Sequence, residues 1–154
     1  MTVLDLNPAP VADLASLGAA VGITPSEVAA SSDIICSVVM NDRQTEAVFL
    51  QDDGVFAGVA PGSLILIHST LSQELCQVLG EATRDKGVHI LDAAVSGAEA
   101  KAKEGKLTVL VGGEADQVER ARPIFDVIGA QTFHVGGLGM GQAAKVCNNL
   151  MCLV

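Results

Sequence analysis

Short, nearly uncharged runs rich in Val, Ile and Leu recur along this chain, each followed by a stretch long enough for a helix. Asp33–Val39 (DIICSVV), Ser63–His68 (SLILIH), His89–Asp92 and Leu107–Val111 (LTVLV) are such runs. None alternates apolar with polar residues, the pattern of a strand with one wet face. A continuous apolar strand is covered on both sides, and such strands belong to parallel sheets flanked by helices. Thr2–Leu6, the segment GAAVGI and Gln131–Val135 (QTFHV) add weaker strand candidates.

Helix signals fill the gaps. Asn7-Pro8 predicts a helix to about Leu17, with Asn as cap, Pro as first helical residue and Gly18 as the stop. Thr24 with Glu27 three residues later predicts a second start. Asn41 onward reads as helical, and Gln51–Gly62 as a Gly/Asp/Pro loop. Leu71–Lys86 reads as an amphipathic helix capped by Ser72, with Leu75, Val78 and Leu79 on one face. Ala93–Gly97 reads as a loop, Glu99–Glu104 as a short helix and Glu114–Ile128 as a longer one. Gln142–Val154 is apolar and helical to the last residue.

The 154 residues fit one ordinary domain, and 49% apolar against 18% charged residues is enough for a real core. Lys and Arg number 9 against 18 Asp and Glu, a net charge of −9, so nucleic acid is not an expected partner. Aromatics are 3%, with no Trp or Tyr, which removes stacking platforms as well. The longer uncharged stretches carry Ser, Gly, Asn or Pro, so no membrane span is expected. Cys36, Cys76, Cys147 and Cys152 show neither CxxC nor zinc spacing and lie in apolar runs, as small buried hydrophobes do. His68, His89 and His134 are far apart in sequence, so no metal is expected. The N-terminus MTVLDLNPAP has no basic region and no apolar core of a signal peptide, and a reducing, cytoplasmic setting follows.

Several polar positions are candidates for chemistry. Gly136–Gly141 (GGLGMG) follows a strand and opens a helix, but Gln142 stands where a dinucleotide loop needs its last Gly, so a linker is expected. The Gly97–Lys106 stretch lacks both the spacing and the Ser/Thr of a P-loop. Asp5, at a strand end before a helix, suits a ribose-binding acid and equally an acid favoured by a helix N-terminus. Lys145 and Asn149 share one helical face on a stretch of Ala, Val, Cys and Leu. They form either an exposed stripe or a buried pair whose lysine trades a proton near neutral pH. Ser96-Gly97, past a strand, offers a hydroxyl and a close backbone N–H to an anion, or is simply turn chemistry.

Taken together, these segments resemble the β-hydroxyacid dehydrogenases, a family that includes 3-hydroxyisobutyrate dehydrogenase and shares the NAD(P)-binding domain of 6-phosphogluconate dehydrogenase. DAAVSGAEAKAKEGKLTVLVGG is similar to their D-A-P-V-S-G-G substrate segment and the strand after it. GMGQAAKVCNNL is similar to their G-x-x-x-K-x-x-N-N catalytic segment. VLDLNPAPVADLASLGA resembles their second strand and following helix, and VVMND and LILIHST fall at their cofactor contacts.

The resemblance implies an α/β fold, a Rossmann-type doubly wound and mostly parallel sheet lacking its first βα unit. Residues 1–138 would be the incomplete NAD(P)-binding domain. Residues 139–154 would start the interdomain helix of a C-terminal helical domain. On that reading the chain is truncated at both ends and inactive alone. The implied reaction is reversible hydride transfer between NAD and a small 3-hydroxy acid, with no metal. Lys145 would be the general acid/base. Ser96, Gly97, Ala98 and Asn149 would bind substrate. Asp5, Val39, Met40 and Thr70 would contact the cofactor. Leu6 stands where NADP-using members tend to carry Arg, which favours NAD. A homo-oligomer is implied for the full-length enzyme.

The departures are Ala94 for the motif's Pro, Ala98 for its second Gly, Met40 for a cofactor-lining Pro, and Ile67 where many members have Asp. They bear on the substrate rather than on the reaction class. Two other readings compete. One is an inactive product that associates through its NNLMCLV helix. The other is an imine reductase-like relative, against which the lysine at 145 speaks.

Overall fold

A computed structural model describes residues 1–153. The expected caps start the helices. Asn7 accepts the Ala9 N–H ahead of α1 (Pro8–Ser16), and Thr24 accepts the Glu27 N–H ahead of α2 (Pro25–Ala30). Glu27 closes the box by accepting the Ile23 N–H at 2.9 Å. Asn41 caps α3 (Asp42–Leu50) and Ser72 caps α5 (Gln73–Arg84) in the same way. Each such bond satisfies an N–H that the helix itself cannot.

The stretch read as a loop between residues 51 and 62 holds a further short helix, α4 (Val55–Gly58). It lies against α2, so close that a side chain at Gly58 would strike the Ser26 carbonyl. That tertiary fit is invisible in a local sequence punctuated by Gly, Asp and Pro on either side.

Two sheets form. β1 (Thr2–Val3) and β2 (Ala20–Val21) pair in parallel as a two-stranded sheet. The main sheet holds β3 (Ile34–Ser37), β4 (Leu64–Ile67), β5 (His89–Ser96), β6 (Leu107–Gly112) and β7 (Gly129–Gly136), in that spatial order. All neighbours are parallel except β5 and β6, which run antiparallel. The helices α6 (Ala98–Lys103), α7 (Ala115–Ile128) and α8 (Met140–Leu153) complete the chain, with α8 packed on β5, β6 and β7. This is the expected mostly parallel α/β architecture.

β4 is the strand the apolar pattern describes best, since all its residues are buried. Leu64 and Leu66 enter one core with Leu91, Val109, Val111 and Phe125. Ile65 and Ile67 enter the other with Phe49, Leu75, Cys76 and Leu79. Alternate side chains of a strand point to opposite faces, so one strand holds two cores together.

The edges depart from expectation. β1 is two residues long and stops well before Leu6. β3 lies at the edge of the main sheet, where Ile35 and Ser37 are buried and Cys36 is exposed. Cys147 is exposed too, on the outer side of α8, so of the cysteines expected to be buried only Cys76 is so among the described residues. The side chain of Cys152, and Val154, lie outside the described residues. No described helix is long and apolar enough to cross a membrane.

Phe125 is fully buried at the centre of its core. Phe125→Ala is expected to cost about 3–5 kcal/mol, because the cavity cannot collapse between helix and sheet. Urea unfolding checks this by a lower midpoint at unchanged slope.

Candidate active site

β5 runs through Ser96 rather than ending at Asp92, because it pairs with β6 from Asp92 to Ser96, Ser96 opposite Thr108. Of the residues Ala93–Gly97 read as loop, Ala93–Ser96 are strand. The small residues leave room for α8. Asp92, Ala94 and Ser96 project from one face of the strand.

Asp92 is fully buried. Its carboxylate accepts the Gly139 N–H on Oδ1 at 2.8 Å and the Gln142 N–H on Oδ2 at 2.7 Å. Burial pushes its pKa above the ordinary carboxylate range, and backbone N–H donors including those of Gly139, Gln142 and Gly141 oppose the rise. The GGLGMG segment thus wraps a carboxylate. A side-chain carbon at Gly141 would lie 2.6 Å from the Leu110 carbonyl and 2.7 Å from Asp92, so only glycine lets α8 come this near.

Gln142 is 1% exposed. Its Oε1 accepts the Leu71 N–H at 2.9 Å and its Nε2 donates to the Ser69 carbonyl at 2.8 Å. Those two peptides flank Thr70, whose side chain is exposed at the carboxyl end of β4. Ser69 in turn accepts the Val39 N–H on its hydroxyl at 2.7 Å. Met40 is exposed, and its N–H goes to Gln44 at 2.8 Å.

One helical turn beyond Gln142, Lys145 is 8% exposed. A further turn on, Asn148 donates from Nδ2 to the Ser96 hydroxyl at 3.1 Å. Asn149, expected on the substrate side, is exposed. Both asparagines lie within a turn of Lys145, and only the helix's rotation on the sheet decides which one meets Ser96. Gly97 has φ 135° and Ala98 φ 54°, the left-handed conformation that a methyl group disfavours.

The structure therefore gathers Val39, Thr70, Ser96, Gly97 and Lys145 around the carboxyl ends of β3, β4 and β5 and the adjoining α8. Asp5 is exposed just past β1 of the two-stranded sheet, its Oδ1 accepting the Asn7 N–H at 2.7 Å. The motifs alone missed Asp92 and Gln142 as structural centres. The one sign was an acid inside an apolar strand.

His68, at the end of β4, is buried, and its Nδ1 lies 2.9 Å from the Ala93 carbonyl. A carbonyl only accepts, so Nδ1 carries the proton. Burial lowers the His68 pKa, opposed by that hydrogen bond. Among the described residues there is no group of three or more His, Cys, Asp or Glu able to hold a metal ion. A groove of about 310 Å³ flanks the site, lined in part by Leu71, Gln142 and Val146.

A family model described as the NAD binding domain of 6-phosphogluconate dehydrogenase matches residues 1–136. The NAD-dependent L-serine dehydrogenase of Pseudomonas aeruginosa is 38% identical over 154 residues, covering 100% of this chain and 52% of that protein. The 3-hydroxyisobutyrate dehydrogenase of the same organism is 36% identical over 151 residues, 98% of this chain and 51% of that protein. A solved Mycobacterium tuberculosis 3-hydroxyisobutyrate dehydrogenase with L-serine superposes with a TM-score of 0.82 at 31% identity, covering 94% of this chain and 50% of that one. The chain spans about half the length of the curated relatives it matches.

Two measurements probe the site's local physics. Ala98→Gly is expected to stabilise the fold by about 1 kcal/mol, through relief of the left-handed strain, and to raise the urea midpoint. His68 makes stability fall as pH drops below its ordinary value of 6.5, because the unfolded chain takes up a proton that the folded chain resists. His68→Asn, whose amide can still donate to Ala93, should flatten the stability difference between pH 7.5 and 5.5.

Proposed function

Because this chain belongs to the family of the NAD binding domain of 6-phosphogluconate dehydrogenase, we propose that the whole protein oxidises a small 3-hydroxy acid with NAD, and that Lys145 moves the proton. The observation that carries this reading is the burial of Lys145 between Gln142 and Asn148, the residues that tie its helix to the Thr70 loop and to Ser96. A lysine held in so polar and enclosed a place has a chemical use more readily than a structural one.

The residues present fit a nicotinamide dinucleotide. Ligands of doubly wound sheets sit outside the carboxyl ends of the strands. There the Thr70 hydroxyl is exposed, and the Ser37 hydroxyl at the end of β3 is buried with no hydrogen-bond partner. Thr70, Val39 and Met40 would hold the nicotinamide half, and the exposed Asp5 carboxylate would accept from the ribose hydroxyls. Leu6, fully exposed where a guanidinium would favour a 2′-phosphate, supports NAD over NADP. When bound, the cofactor supplies the hydride acceptor.

This chain's own residues handle the rest. Ser96 and the Gly97 backbone bind the substrate carboxylate, with the Ala98 methyl narrowing that pocket. Asn149, on the same helix as Lys145, orients the substrate. Lys145 Nζ takes the hydroxyl proton as the carbonyl forms, and returns it in the reverse direction. The names of the relatives support a substrate of serine or 3-hydroxyisobutyrate size. Val146 and Leu150, exposed one turn apart on α8, support association of the whole protein through that helix's outer face.

In the whole protein, Lys145→Ala is expected to lower kcat by about 10²–10⁴-fold, the usual contribution of a positioned acid/base. NAD affinity, read by NADH fluorescence, should stay nearly constant. Turnover equal to the parent's would remove Lys145 from the role.

A further inference from the structure

We propose that Gln142 and Asp92 are positioning residues, which hold Lys145 in register with Thr70 and Ser96. The inference rests on the reading of Lys145 given above. Asp92 and Ser96 lie four residues apart on β5, a span of about 13 Å. Their partners on α8, Gln142 and Asn148, lie six residues apart, about 9 Å along a helix. The helix is therefore tied to one strand at two well-separated points. A helix held at one point can pivot about it, whereas one held at two cannot. Lys145 sits midway between them.

Gln142 adds the third element. Its backbone N–H binds Asp92 on β5, while its side chain grips the peptides on either side of Thr70. One residue thus joins the strand leading to Ser96, the loop carrying Thr70 and the helix carrying Lys145. The side-chain requirement is strict. Leu71 offers an N–H and Ser69 a carbonyl, so the group between them must accept on one side and donate on the other. An amide does both, an ionised carboxylate cannot donate, and a hydrocarbon does neither. Asp92 needs the converse, an acceptor on both oxygens, which makes Asp92→Asn a poor variant. Its amide would turn N–H against N–H.

Gln142→Leu removes both side-chain bonds at similar volume and keeps the backbone bond to Asp92, so it is the variant of choice. The first readout needs no activity. Amine labelling of the chain, followed by mass spectrometry, should modify Lys145 at least tenfold faster in Gln142→Leu than in the parent. The exposed Lys101 and Lys103 should label at the parent rate, and β4 amides should remain protected from exchange, which excludes global unfolding. Labelling of Lys145 at the parent rate would overturn the inference. The second readout is a double-mutant cycle in the whole protein. Gln142→Leu should lower kcat at least tenfold alone and leave kcat unchanged in a Lys145→Ala background, because it acts through the lysine. An equal loss in both backgrounds would overturn the inference. Parent-like turnover in Lys145→Ala would instead refute the role of Lys145, while the labelling result still decides whether Gln142 holds the helix.

Discussion

The fold's functional end depends on one buried carboxylate. Asp92 lies in the middle of a five-stranded sheet with no exposed surface, where an isolated charge would cost several kcal/mol. What makes it tolerable is the start of α8. The first N–H groups of a helix have no partners within it and carry the positive end of its dipole. Asp92 receives two of the N–H groups around that start on its two oxygens. Each partner solves the other's problem. Gly141 is there because the backbone must come within contact distance of the carboxylate, and carbonyl and carboxylate oxygens lie where its side chain would be.

From that contact the rest of the site follows by periodicity. Strand residues two apart share a face, which puts Ser96 on the side of the sheet that Asp92 gives to α8. Helix residues three or four apart share a face, which puts Lys145 and Asn148 in line after Gln142. The small side chain of Ala94, fully buried, lets these elements approach. A larger residue at Ala94 would lift the helix away from the strand and carry the lysine with it. The strain at Ala98 belongs to the same geometry, since the chain must turn sharply out of β5 into α6.

Much of this architecture was legible in the sequence, where local chemistry decides the outcome. The caps at Asn7, Thr24 and Ser72 are single-residue effects, and LILI has no alternative to a doubly covered strand. Lys145 could be singled out because a polar group on an apolar helix demands an explanation, and Ser96-Gly97 because a hydroxyl and a close backbone N–H past a strand can meet an anion. What was hidden is tertiary. Ala93–Val95 looks like loop, since the pairing that makes it strand comes from β6. Residues 55–58 become helix only against α2. Cys36 and Cys147 lie in apolar runs yet face outward, because β3 is an edge strand and because α8 buries a polar face. The helical angle that brings Asn148 rather than Asn149 to Ser96 is set by packing, within the tolerance of a motif that offers both.

That polar burial explains how α8 can hold one fixed position on the sheet. None of its described side chains joins either hydrophobic cluster. Its buried residues include Gln142 and Lys145, and its larger apolar ones, Val146 and Leu150, point outward. A helix seated on apolar contacts is held by area, which changes little when the helix slides or rotates slightly. A helix seated on hydrogen bonds is held by direction, and the bonds are lost over a fraction of an ångström and a few tens of degrees. Such bonds contribute only about 1 kcal/mol each to stability, somewhat more where a carboxylate takes part. Their yield is register. Moving α8 by one residue would break the bonds to Asp92, Ser69, Leu71 and Ser96 together, so the helix has one position on the sheet.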